Sequence, residues 1–326
     1  GLENKKNFDT RDRIQTLLSA KFNILENLSL LTRSGFDFMN RSAKSYAASG
    51  SKNHANYKGW YNQGWENNVE WNTDALLTYK TDISDEVKMD FNIGGNYRYN
   101  QGKGIYQHGN NWRVPDFYTM SNLEEYSTGE GFSEKEVWSA LALGQISWKN
   151  YLYFDFTLRN DWSSTLPVEN NSYFYHSENL SFLFTEMFNI KSKFLTSGKV
   201  RGSYAKVGND TGAYNLSNYY GVSQSQLPYA TGGMGGTLAN STLKPEETYS
   251  WEVGTNLGFW NNKLEIDFTW YNSNTLNQIM RVKSAPTTGW NDRWINAGEL
   301  SNKGFELQVN GTPVDKSEGI RWDVTF

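Results

Sequence analysis

The chain has 326 residues, enough for one large domain or two ordinary ones, with 31 basic and 35 acidic side chains and a net charge of -4. A mean hydropathy of -0.70 and the lack of any run of about 18 apolar residues exclude a membrane helix, and no basic patch points to nucleic acid. The absence of cysteine excludes disulfides and thiolate sites.

Taken in chain order, apolar and polar residues alternate with period two, the mark of strands with two different faces. The first such segment, 13–24, sets Ile14, Leu18, Ala20 and Phe22 against Arg13, Gln15, Ser19 and Lys21. Strands follow at 27–40 and 65–80, and at 86–100, where Val87, Met89, Phe91 and Ile93 oppose Lys88, Asp90, Asn92 and Gly94. The segment 134–148 is partly apolar on both faces. In 151–162 the row Leu152, Phe154, Phe156 and Leu158 opposes Tyr153, Asp155, Thr157 and Arg159. Strands at 173–187, 198–208 and 247–260 come next. The segment 263–279 sets Leu264, Ile266, Phe268 and Trp270 against Lys263, Glu265, Asp267 and Thr269. Segments 303–312 and 320–326 bring the number to about twelve.

The connections sharpen this reading. Short links at 25–26, 81–85, 149–150 and 261–262 alternate with long ones at 41–64, 101–133, 209–246 and 280–302. Links at 188–197 and 313–319 are intermediate in places where short ones belong, and 163–172 is moderate where a long one belongs. A soluble sandwich or lectin-like protein fits the alternation but predicts irregular loops and shorter strands. Tight periplasmic turns, long outer loops and long tilted strands predict a transmembrane antiparallel β-barrel. A barrel also accounts for 16% aromatics, with 13 Trp and 20 Tyr, as interfacial girdles, and for low hydropathy, since alternate residues face a wet lumen. On this reading Leu152, Phe154, Phe156, Leu264, Ile266, Phe268 and Trp270 face lipid.

RNDWSSTLP (159–167), SYFYHSENLSFLFTEMF (172–188), GKVRGSYAKVGNDTGAY (198–214), LKPEETYSWEVGTNLGF (243–259) and NAGELSNKGFELQVNG (296–311) arrive in an order that resembles the SusC/RagA branch of the TonB-dependent outer-membrane transporters of Bacteroidota. The resemblance is clearest over 150–326; His176 stands where the family pattern is expected to carry Pro. It implies a 22-stranded barrel plugged by an N-terminal domain, and active import of a bulky nutrient, glycan or oligopeptide. It further implies a SusD-like surface lipoprotein over the mouth and drive from the TonB complex through N-terminal regions. Twelve strands without a plug-like segment are expected to be one part of such a barrel domain, all of 1–326 belonging to it. The turn rhythm agrees, because both chain ends then fall on the outer side.

Neither a phosphate-binding Gly loop nor a G-x-S-x-G elbow is present, and three histidines fall in no metal-ligand spacing. Catalytic residues, metal and cofactor are therefore not expected. Asp161 and Ser163 beside Trp162 suit a strand end at the aqueous boundary better than a hydrolase site. An outer-membrane barrel enzyme such as a lipid hydrolase, or a soluble carbohydrate-binding β protein, are the competing functions. For substrate capture the candidates are outer-loop aromatics: Trp60, Tyr61, Trp65, Trp112, Tyr118, Tyr219, Tyr220, Trp290 and Trp294. Packing of loops against each other is the competing role for each.

Overall fold

The computed structural model describes residues 5–50, 58–223, 231–315 and 319–326. Its strands are β1 (Lys5–Leu25), β2 (Leu28–Ala47), β3 (Trp60–Ser84), β4 (Val87–Trp112), β5 (Leu123–Trp148), β6 (Leu152–Ser163), β7 (Ser172–Phe182) and β8 (Leu195–Asn209). They continue with β9 (Tyr220–Ser223), β10 (Thr231–Met234), β11 (Thr237–Leu238), β12 (Glu246–Phe259), β13 (Leu264–Leu276), β14 (Ile279–Lys283), β15 (Asp292–Asn296), β16 (Leu300–Asp315) and β17 (Arg321–Thr325). Twelve of them make one sheet in the order β1-β2-β3-β4-β5-β6-β7-β8-β12-β13-β16-β17. Every strand thus pairs with its sequence neighbours among the wall strands, the up-and-down order expected from the loop rhythm. A pair β9–β10 and a trio β11-β15-β14 lie in the long connections.

The structure differs from the expected boundaries in the long connections. Strand β4 runs on to Trp112 and β5 begins at Leu123, so most of the expected 101–133 loop is strand. Neither stretch alternates cleanly, because neither of its faces is apolar. Segment 173–187 stops at Phe182 as strand and continues as one helical turn, α1 (Phe184–Met187).

Tight turns have a local cause. Lys149 and Asn150 both adopt positive φ, 50° and 56°, the pair of left-handed residues that a two-residue hairpin requires. In the next such turn Trp260, Asn261 and Asn262 do the same, with asparagines bearing most of the conformation that other side chains resist.

The chain divides into two compact units. The first comprises Gly1–Ala20, Thr32–Asp74 and Tyr97–Val137. Its core is Tyr61, Trp112 and Leu123, surrounded by Tyr46, Tyr118 and Met120. The second comprises Lys21–Leu31, Ala75–Asn96 and Trp138–Phe326.

Within the second unit the register fixes two faces. Leu257 lies opposite Ile266, Thr255 opposite Phe268 and Val253 opposite Trp270. Ile266, Phe268 and Trp270 in turn lie opposite Val309, Leu307 and Phe305. Leu152, Phe154 and Phe156 join that face through Phe182, Leu180 and Glu178, themselves aligned with Val200, Gly202 and Tyr204. Large apolar side chains on it, among them Phe154, Leu180, Trp251, Phe268, Trp270 and Phe305, stay exposed.

The other face is polar and internally bonded. Arg201 reaches from β8 across β12 to Asp267 on β13, donating from its two terminal nitrogens at 3.1 and 2.8 Å, and to Thr269 at 2.6 Å. Gly254 lies in the path; a Cβ there would come within 2.9 Å of Arg201 Nε and 3.0 Å of Phe268 O. Only a residue without a side chain lets the guanidinium lie flat over the central strand.

Candidate functional site

The quoted motifs meet where the wall strands give way to the long loops. At the end of β6, Asp161 accepts hydrogen bonds from Arg159 Nε at 2.7 Å and from the Tyr175 hydroxyl at 2.8 Å. Ser163 donates to Asp210 at 2.5 Å and contacts the Thr165 hydroxyl at 2.9 Å, tying the first motif to the third. Leu166, Tyr173 and Leu243 are buried together, with Tyr175, Leu216, Ile279 and Trp294 packed around them. The fourth and fifth motifs are joined by one amide. Asn296 donates to the carbonyls of Lys244 and Asn277 at 2.8 and 2.9 Å and accepts from Lys244 N–H at 2.8 Å. Glu246 accepts from Ile279 N–H at 2.7 Å and from Asn209 at 3.1 Å. Each of these rim side chains finds a partner, so the loops start from a fixed rim.

From that rim the loops assemble a cleft. Short parallel pairing of β11 with β15 sets Thr237 against Asp292, and Gly236 O accepts from Asn291 and Asp292 N–H at 2.9 and 3.1 Å. Asn240 bonds Trp294 O at 3.2 Å. The open cleft measures about 390 Å³ and is lined by Tyr214, Tyr219, Trp290 and Trp294, by the polar side chains of Asn215, Asn218 and Thr237, and by Arg281. Tyr214 and Tyr219 meet edge to face at 6.2 Å.

The expected capture residues therefore separate into groups. Tyr219, Trp290 and Trp294 come together in this cleft, while Tyr220, 73% exposed, begins β9. Tyr61 and Trp112 are only 4% and 2% exposed. Trp112 donates its indole N–H to Ala47 O at 2.8 Å, over Gly59, whose φ of +107° and crowding leave no room for a Cβ. Tyr118 stacks on Tyr46 at 4.2 Å. Its hydroxyl donates to Asp116 at 2.8 Å; burial first, then this bond, pushes its pKa up to about 12. Trp60 starts β3, half-buried, and Trp65 further along it is exposed against Ile105 and Phe132. The first unit also holds a recess of about 560 Å³, where Arg41 bridges Asp9 at 2.8 Å and Glu66 at 3.3 Å, and Tyr106 donates to Glu66. Sequence reasoning missed Tyr214 and Arg281. The alternation of MRVK and DRWIN signals a hairpin, but nothing local joins it to residue 214.

No group of three or more His, Asp or Glu side chains placed to hold a metal occurs among the described residues. The described histidines, His108 and His176, sit against Asn62 and Glu178, and Ser163 is engaged by Asp210. His54 lies outside the described residues.

Comparison with known proteins agrees with this architecture. The family described as TonB dependent receptor-like, beta-barrel, matches residues 2–326. TonB-dependent receptor P3 of Formosa agariphila is 23% identical over 94% of this chain and 31% of its own length. TonB-dependent receptor SusC of Bacteroides thetaiotaomicron is 30% identical over 27% of this chain and 9% of its own. Among solved structures, the RagAB peptide transporter superposes with a TM-score of 0.86 at 19% identity, covering 99% of this chain and 36% of that one. The chain thus spans about a third of the length of the relatives it matches most fully.

Proposed function

Because the chain belongs to the TonB-dependent receptor-like β-barrel family and is part of an outer-membrane barrel of SusC/RagA type, we propose that it forms wall and outer loops of an importer for a bulky nutrient, a glycan or an oligopeptide. The observation that carries this is the cleft, in which four aromatic rings, amides and one arginine are held on a hydrogen-bonded rim. Flat rings beside amide donors suit sugar faces or peptide groups. The exposed members of the aromatic set, Trp65, Tyr219 and Tyr220, and the half-buried Trp290 of the cleft are the proposed ligand contacts, with Trp294 shared between cleft and core. Tyr61, Trp112 and Tyr118 serve the same end by holding their loop tips in shape. Trp60 belongs with them.

The apolar face of the second unit meets lipid in this proposal, and the Arg201–Asp267 face meets the lumen. A SusD-like lipoprotein closing over the mouth, a plug and TonB coupling belong to the same reading and rest on the family resemblance. The test is replacement of residues 280–293, the hairpin tip beyond the rim residues Ile279 and Asn296, in the parent receptor by a short turn. Outer-membrane assembly should persist, while growth on receptor-dependent glycans or peptides as sole carbon source should be lost. Unchanged growth would overturn the capture role of the loops.

A further inference from the structure

The cleft has a charge asymmetry. Among the described residues its lining contains no carboxylate, and Arg281 is its charged member, in a chain whose net charge is -4. Arg281 lies beside Trp294 in the β14–β15 pairing, so a planar cation and an aromatic face occupy adjoining positions. Its ion pair with Asp292 is 3.8 Å long, beyond hydrogen-bonding range, and Asp292 is already held by Lys283 at 3.0 Å. The guanidinium side chain stays 58% exposed. Asn218 spends its amide oxygen on Ala239 N–H at 2.8 Å, which leaves the amide nitrogen as a donor.

We infer that the cleft selects saccharides bearing an anionic group, a carboxylate or sulfate, and that Arg281 holds that group while the neighbouring rings take the sugar face. Arginine presents a fork of donors matched to planar carboxylate and to oxyanions. A saccharide is favoured over a peptide because four aromatic rings stand beside the Asn215 and Asn218 side chains, flat apolar faces next to amides that suit a sugar ring and its hydroxyls. This inference rests on the capture role proposed above.

The test uses the parent receptor in detergent and a panel of uronic-acid and sulfated oligosaccharides, each beside its neutral parent, with C-terminally free and amidated peptides as a further arm. Acidic sugars should bind on the order of tenfold or more tighter than their neutral parents. Arg281→Gln should remove that difference without abolishing binding, and Trp290→Ala should weaken both sets. Equal binding of acidic and neutral sugars, lost together in Trp290→Ala, would overturn the Arg281 assignment and leave the capture role standing. Binding untouched by Trp290→Ala would defeat the capture role itself. Failure of every sugar to bind, or a preference for free over amidated peptide that depends on Arg281, would overturn the saccharide assignment.

Discussion

Phe268→Arg places a charge at the centre of the apolar face. From Trp251 to Phe259 strand β12 advances eight residues, about 26 Å along the strand at ~3.3 Å per residue. With a strand tilt of ~40° this is about 20 Å of height, near the ~25 Å apolar band of outer-membrane barrels. Thr255, midway along it, is the register partner of Phe268, so on the proposed assignment of faces Phe268 falls at the bilayer midplane and Ile266 one row to the turn side. An arginine at the midplane should cost about 2–4 kcal/mol, and at Ile266 somewhat less, since the penalty falls toward the interface. Asp267→Asn, one residue away on the opposite face, breaks a bidentate pair whose side chains are each 31% exposed. A pair so wetted is worth about 1 kcal/mol or less. The loss is still real, because Asp267 also accepts from Asn256 at 3.3 Å. Urea titration of the parent receptor in lipid vesicles, read by the gel-mobility shift of folded barrel, measures all three. Equal sensitivity at 267 and 268, or a cost below about 1 kcal/mol for Phe268→Arg, would refute the assignment of faces.

Trp112→Ala removes a buried indole and its bond to Ala47 O, and should destabilise its loop cluster by about 3–5 kcal/mol, seen as accelerated hydrogen exchange at residues 46–47 and 118–123 with the wall unaffected. Asn150→Val forces a β-branched side chain into the left-handed turn and should cost about 1–2 kcal/mol, measured by the same urea titration. Lys149 lies 2.9 Å from Glu86 in the neighbouring turn and, through that hydrogen bond first, holds the Glu86 carboxyl below its usual 4.5. The link is therefore present above about pH 4.5 and is lost as pH falls through the lowered folded value. Lys149→Ala should bring the Glu86 titration, followed by carbon NMR, back up toward 4.5.

The wall was legible because period two, repeated over many segments, leaves one assignment of faces, and register turned Leu264–Trp270 and Leu152–Phe156 into one surface as the alternation implied. Residues 101–112 and 123–133 were not legible as strand, since a strand whose faces are both polar leaves no period to read. Tyr61 and Trp65 stand four residues apart in one strand, yet one is buried and the other exposed; what covers Tyr61 comes from Trp112 and Leu123, far along the chain. Arg281 and Tyr214 line one cleft from distant parts of the chain, a juxtaposition with no local signature.

The rim formed by Ser163, Asp210, Asn296 and Glu246 behaves as a socket. Its bonds run between strand ends and the first residues of the loops, so a different loop of any length can leave from the same roots without disturbing the wall. Selection acting on cargo can then rewrite the hairpin between Ile279 and Asn296 and the 211–240 connection while the rim stays constant. Grafting a relative's loops between Asp210 and Leu243 and between Ile279 and Asn296 should transfer its cargo preference on an unaltered barrel.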